Sequence, residues 1–204
     1  MRKAALLLLA FILSAVAAGT DVRLALYADT MLAVGEWAAL PGDPGRTMFG
    51  PSLGGEIEIT LRPGNALWGL LAKYGAYDTS GYTGTGSEPN RVEEAEAHSV
   101  SVLGFAGLVM DGTGIVRFWV CLGLGVEWLR AAETVGGREY DYGRVFQPCP
   151  CAGLTLGADV YIAEDLFLPV KASYDVSFGQ VLGYGGYSGQ GADLVLSVGL
   201  GVVF

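Results

Sequence analysis

Residues 194–204, LVLSVGLGVVF, admit one kind of local structure. In steps of two they put Leu194, Leu196, Val198, Leu200, Val202 and Phe204 on one face. Asp193, Val195, Ser197, Gly199, Gly201 and Val203 fall on the other. Side chains that alternate with period two belong to a strand, whereas a helix repeats every 3.6 residues. One face is wholly apolar and the other small, so the rest of the chain must decide which face meets solvent, and what that solvent is.

Seven further segments repeat the pattern. Candidate strands cover 21–34, 52–62, 66–77, 97–110, 115–130, 151–162, 166–178 and 192–204, eight in all. In the fifth, Val116, Phe118, Val120, Leu122, Leu124, Val126 and Trp128 alternate with Arg117, Trp119, Cys121, Gly123, Gly125, Glu127 and Leu129. In the second, Leu53, Ile57, Ile59 and Leu61 oppose Ser52, Glu56, Glu58, Thr60 and Arg62. Each apolar face is about five to seven side chains long, the length that crosses a bilayer at a barrel's tilt. The connections alternate long and short. PGN, DGTG and AED are tight, whereas GEWAALPGDPGRTMFG, DTSGYTGTGSEPNRVEEAE, AAETVGGREYDYGRVFQPCP and GQVLGYGGYSGQG are long.

The first twenty residues, MRKAALLLLAFILSAVAAGT, have a basic start, an apolar stretch and small residues at a cleavage position. They read as a secretory signal peptide over residues 1–18, with an uncleaved anchor as the alternative. Residues 19–204 then form one domain. Without Arg2 and Lys3, ten basic side chains remain against twenty-one acidic ones; a charge of about −11 excludes nucleic acid as a partner. The longest apolar stretch after the leader, GIVRFWVCLGLGVEWL, is broken by Arg117 and Glu127, which argues against a membrane-spanning helix.

Thirty-two glycines beside 51% hydrophobic residues suit a barrel in lipid better than a soluble carrier barrel, which needs a charged outer coat. The polar faces are small and fit a crowded lumen. Aromatics gather near both ends of the apolar faces: Trp68, Phe118 and Phe204 toward the short turns, Tyr74, Trp128, Tyr174 and Phe178 toward the long loops. These are the two girdles of a membrane barrel. Strand parity places Tyr27, Trp119, Tyr161 and Phe167 inside. It also places Arg23, Arg62, Lys73, Arg117 and Lys171 there, facing Asp29, Glu56, Glu58, Glu127, Asp159 and Asp175. Such groups should pair into a network that plugs the bore, with inward Gly123, Gly125, Gly153 and Gly157 as places where a cavity could remain. Pro169 lies within the seventh strand and predicts a bulge near the short-turn rim.

Together, the leader, eight amphipathic strands, loop alternation and terminal aromatic strand resemble the small outer-membrane β-barrel family. That family includes the membrane domain of outer-membrane protein A and the outer-membrane protein X group. The resemblance covers the mature chain and is architectural. It implies an all-β, eight-stranded antiparallel up-and-down transmembrane barrel in the bacterial outer membrane, with short turns in the periplasm and long loops outside. It also implies that Phe204 is a signal to the barrel-assembly machinery. Outer-membrane lipids and lipopolysaccharide are the expected surroundings, a monomer the expected state, and the extracellular partner is left open.

Candidate chemistry is sparse, and no cofactor or metal is expected. GPSLG fits the nucleophile-elbow pattern at Ser52, but that motif needs a strand-to-helix turn, and Ser52 begins a strand. His98 is the sole histidine; with a nearby serine it could support a lipid A deacylase-like hydrolase. Parity, however, turns Ser99 and Ser101 inward and His98 outward, which favours a rim histidine. Cys121, Cys149 and Cys151 are read as free thiols. Acidic Glu88, Glu93, Glu94 and Glu96 read as solvated loop residues, and GYGGYSGQG as an exposed loop. The leading function is therefore a non-enzymatic surface-interaction or structural barrel, with a lipid-modifying enzyme and a small-solute pore or carrier as alternatives.

Overall fold

The computed structural model describes residues 20–34, 39–40, 43–47, 51–78, 92–110, 114–141, 148–180 and 188–204. Its strands are β1 (Asp21–Val34), β2 (Ala39–Leu40), β3 (Asp43–Thr47), β4 (Ser52–Arg62), β5 (Ala66–Tyr77), β6 (Val92–Met110), β7 (Val116–Val135), β8 (Arg138–Asp141), β9 (Cys149–Tyr161), β10 (Leu166–Gln180) and β11 (Ser188–Val203). Eight of them, all but β2, β3 and β8, pair antiparallel in the circular order β1, β4, β5, β6, β7, β9, β10, β11 and back to β1. Neighbours in sequence are neighbours in space throughout. The result is a closed eight-stranded antiparallel up-and-down β-barrel.

The terminal strand closes the ring. β11 pairs with β1 from Arg23↔Val203 to Val34↔Ala192, and Phe204 N–H donates to the Val22 carbonyl at 2.8 Å. No backbone edge is left along the wall, which is what a barrel in hydrocarbon requires. The face with Leu194, Leu196, Val198 and Leu200 is the outer one; these residues are 42–57% exposed. So are Leu53, Leu122 and Leu124, at 72%, 66% and 73%. An all-round apolar exterior of this kind is far beyond what a water-soluble monomer exposes. Among the described residues, no helix is long and apolar enough to cross a membrane.

Three departures from the sequence reading are instructive. The predicted bulge at Pro169 is absent: Leu166↔Val202, Phe167↔Gly201 and Val170↔Val198 keep one register, as do the pairs with β9. Leu168 and Pro169 simply drop out of the β10–β11 ladder. The missing proline donor thus leaves a gap of two residue pairs rather than a shift of the strand. Secondly, several strands run further toward the long loops than their apolar alternation indicates. Glu93, Glu94 and Glu96, read as loop residues, lie in β6, and β7 continues to Val135. Thirdly, segments read as loops contain short strands. β2 and β3 pair with each other, and β8 returns along β7 through Gly136 and Gly137, whose φ values of 56° and 72° suit a two-residue hairpin turn. Residues 1–18, Glu88 and most of GYGGYSGQG lie outside the described residues.

Candidate functional site in the barrel lumen

The inner faces fill the bore in layers. Nearer the short turns, Leu67, Phe105, Val109, Trp119 and Cys121 form one apolar cluster. Ala25, Tyr27 and Phe167 form another, with Tyr161 and Val203 packed against it. Large inward rings have glycines as cross-strand neighbours. Trp119 faces Gly157, Phe167 faces Gly201, Tyr27 faces Gly199 and Phe105 faces Gly69. A Cβ on Gly157 would lie 2.2 Å from the Trp119 ring, and one on Gly201 would lie 2.2 Å from Phe167. These glycines are seats for aromatic rings. A small void of about 20 Å³ remains by Gly123, Gly153, Leu103 and Phe105, space for about one water.

Charged side chains cross the bore between the layers. Lys73 Nζ meets Asp175 Oδ2 at 2.5 Å. Since β5 and β10 stand four places apart in a ring of eight, this bridge spans opposite walls. Lys171 bridges from β10 to Glu56 and, at 2.9 Å, to Glu58 on β4. Glu58 also accepts from Thr60 at 2.7 Å and from the Tyr27 hydroxyl at 3.3 Å, and the Lys171 ammonium sits 3.9 Å from the centre of the Tyr27 ring. Arg23 pairs with Asp159 at 2.7 Å and lies 4.0 Å over Phe167; Asp159 accepts in addition from Trp119 Nε1 at 3.1 Å. Nearer the long loops, Tyr77 donates to Asp193 at 2.8 Å, and the Ser177 hydroxyl donates to Glu127.

The charge is uneven along the axis. Toward the long loops, the buried Asp29 carboxylate forms no ion pair with a described residue and has the Ser197 hydroxyl as its neighbour, and Asp193 and Glu127 have hydroxyl partners. At the short-turn end, Arg62 Nε donates to the Gly64 carbonyl at 3.3 Å while its buried Nη1 has no partner among the described residues. Arg117 donates to the Tyr161 hydroxyl at 3.2 Å and lies 4.6 Å over that ring.

Of the eleven charged positions assigned inward from the sequence, nine are buried and Arg117 and Asp175 are half-buried, and they form separate clusters rather than one network. Asp193 is an addition to them. It shares the parity of Val195 and Ser197, but apolar alternation fades at Ala192 and gives it the look of a strand end; β11 begins at Ser188. Tyr77, at the other end of the same hydrogen bond, is likewise an addition.

On the outside, Trp68, Phe118 and Phe204 are 56%, 50% and 65% exposed, and Tyr74, Tyr174 and Phe178 are 48%, 48% and 53% exposed; Trp128 is half-buried. Tyr74 and Trp128 flank Val100 in one cross-strand row. His98 lies on this outer face, its Nδ1 2.9 Å from the Tyr74 hydroxyl, with the two rings stacked at 6.0 Å. Ser99 and Ser101 point the other way and are 1% and 3% exposed. Ser52 is buried and accepts from the Asp78 N–H at 3.1 Å. The three cysteines form no disulfide among the described residues, and no group of three metal-ligating side chains gathers among them.

Closed wall, filled bore and apolar exterior define an eight-stranded barrel of the outer-membrane type. The solved structures agree with that class. Neisserial surface protein A is similar over 91% of this chain and 97% of its own, with a TM-score of 0.56 and 16% identity. A major outer membrane protein from Thermus thermophilus gives a TM-score of 0.52 at 13% identity, covering 90% of this chain and 99% of its own. Outer membrane protein AlkL, determined in lipid bilayers, gives 0.51 at 14% identity, with 90% of each chain covered. At such identities the likeness concerns the fold. No protein-family model and no curated protein matches the chain.

Proposed function

We propose that this protein is a non-enzymatic, monomeric integral barrel of the bacterial outer membrane that works at the cell surface through its long-loop end. Residues 1–18 act as a cleaved signal peptide, the short turns face the periplasm, and lipopolysaccharide surrounds the outer aromatic belt. One observation carries the surface role. β5 ends opposite Ala97 of β6, and β9 begins opposite Glu127 of β7, yet β6 and β7 stay paired out to Val92↔Val135. With β8 added against 132–135, a three-stranded sheet projects beyond the wall, and Glu93, Glu94, Glu96, Arg138 and Glu139 on it are exposed. A bare anchor has no need of such an extension.

The outward His98 and inward serines support a non-enzymatic reading, because nucleophile and base stand on opposite sides of the wall. Bridges that span the bore support a plugged lumen over a pore.

The test replaces residues 79–96, between β5 and the wall part of β6, and residues 131–148, between the wall part of β7 and β9, each by a short turn. Intact cells are then compared for surface labelling and for adhesion to abiotic and cellular surfaces. The expected result is a folded, heat-modifiable barrel with lost surface labelling and reduced adhesion. Wild-type residues 93–96 that no membrane-impermeant reagent reaches on intact cells, or unchanged adhesion of the folded variant, would overturn the surface role.

A further inference from the structure

The short-turn end holds an open basin of about 480 Å³, within the size range of small-molecule sites. Its lining includes Arg117, Tyr161, Asp21, Glu164, Ile115 and Ile162. Arg117 is the side chain to explain. Its guanidinium is anchored by the Tyr161 hydroxyl and ring, yet it forms no ion pair with a described residue. Its cross-strand neighbour Asp159 is already engaged by Arg23 and Trp119. Asp21 and Glu164 border the same basin and are exposed, and neither forms an ion pair with a described residue. One cation and two anions thus share a basin without neutralising one another.

We infer that this basin binds a small zwitterion, an amino acid or short peptide end bearing a free carboxylate and a free ammonium. A carboxylate matches the planar fork of Arg117, which Tyr161 holds in place, and bidentate recognition of that kind is what a fixed guanidinium does best. A purely anionic ligand would meet Asp21 and Glu164 as like charges. A purely cationic ligand would meet Arg117. A molecule with both charges satisfies both ends, and Ile115 and Ile162 offer apolar surface to a side chain. Binding here needs no opening of the bore: Tyr161 of the basin lining packs against Phe167, which lies under Arg23 and its partner Asp159, and none of these three lines the basin.

The test uses the full-length mature barrel refolded in detergent micelles, with binding followed by amide chemical shifts. The probes are the dipeptide Gly-Leu, its N-acetylated form, its carboxy-terminal amide, and free leucine. Gly-Leu should give saturable shifts confined to the short-turn end, with a Kd near or below about 1 mM. Each blocked form should bind at least about tenfold weaker, a difference of about 1.4 kcal/mol. Leucine separates the two sources of this chemistry: equal binding assigns the site to free amino acids, weaker binding to peptide ends. Arg117→Gln should erase the preference for a free carboxylate, and paired Asp21→Asn and Glu164→Gln should erase the preference for a free ammonium. Heat-modifiable mobility shows that each variant is folded, and Arg117→Lys supplies a retained charge should Arg117→Gln not fold. Absence of saturable shifts at this end, or equal affinity for blocked and free forms, overturns the assignment.

Discussion

Glycine in a strand interior is ordinarily a weakness, since it contributes no packing and costs backbone entropy. In this barrel the inward glycines serve the opposite end. The bore of eight strands has room for side chains only if large and small ones face each other. Trp119 can lie flat across its neighbour because Gly157 has no Cβ, and Phe167 and Tyr27 use Gly201 and Gly199 in the same way. A methyl group on Gly157 would enter the Trp119 ring, so Gly157→Ala should destabilise the barrel by about 1–3 kcal/mol, the usual cost of overpacking. Gly104 provides the contrast. It lies on the outer face, and the nearest atom to its added Cβ is a Leu70 methyl at 3.9 Å. Urea unfolding of refolded protein should show Gly104→Ala within about 0.5 kcal/mol of wild type, the range of changes away from special sites, and Gly157→Ala well below it. Equal stability of the two variants would mean that Trp119 does not depend on its seat.

At the scale of strands, what could be read from the sequence follows the bilayer. Where a strand crosses lipid, one face must be apolar, and alternation reveals both the strand and the direction of each side chain. Hence Arg23, Glu58, Asp159 and Lys171 could be placed inward from parity alone. Beyond the lipid both faces meet water and the alternation fades, although the ladder continues. VEEAE in β6 and AAETV in β7 are polar enough to pass for loop, and their pairing emerges only from three-dimensional register. The paired glycines at 136–137 are the one local signal of that hairpin. Contacts across the bore have no sequence signal, since Lys73 and Asp175 meet only when the ring closes. The closing strand makes its own prediction. Phe204 is 65% exposed, so its ring adds little to internal packing, while its N–H completes the β1–β11 seam. Phe204→Ala should therefore refold in detergent almost as well as wild type, yet accumulate poorly in membranes of living cells if the ring is read during assembly. Immunoblots of unheated membrane fractions, set beside refolding yields, measure both. Normal levels of folded mutant in cells would remove Phe204 as a signal.

For the whole molecule, the question is whether closure leaves a passage. An eight-stranded barrel is about as narrow as side chains can fill, and this one places Lys73–Asp175 across its diameter and Lys171 against two glutamates on a distant wall. Opening a water path would require pulling these buried charges away from their partners. Removing one partner is correspondingly costly: Lys171→Ala leaves Glu56 and Glu58, side by side on β4, without the ammonium that bridges them, and should destabilise the barrel by about 3–5 kcal/mol. Lys171→Met combined with Glu56→Gln and Glu58→Gln removes charge from both sides and should recover much of that loss, because the cost lies in the unpaired carboxylates rather than in the absent bridge. Planar-bilayer recordings complete the argument. Wild-type protein should be electrically silent, while the folded fraction of Lys171→Ala should show brief, cation-selective openings, since the acids it exposes line the bore. Stable, large openings by the wild type would mean that the bridges do not hold the lumen closed. Unchanged stability and silence in Lys171→Ala would place closure instead with the apolar rings near the short turns.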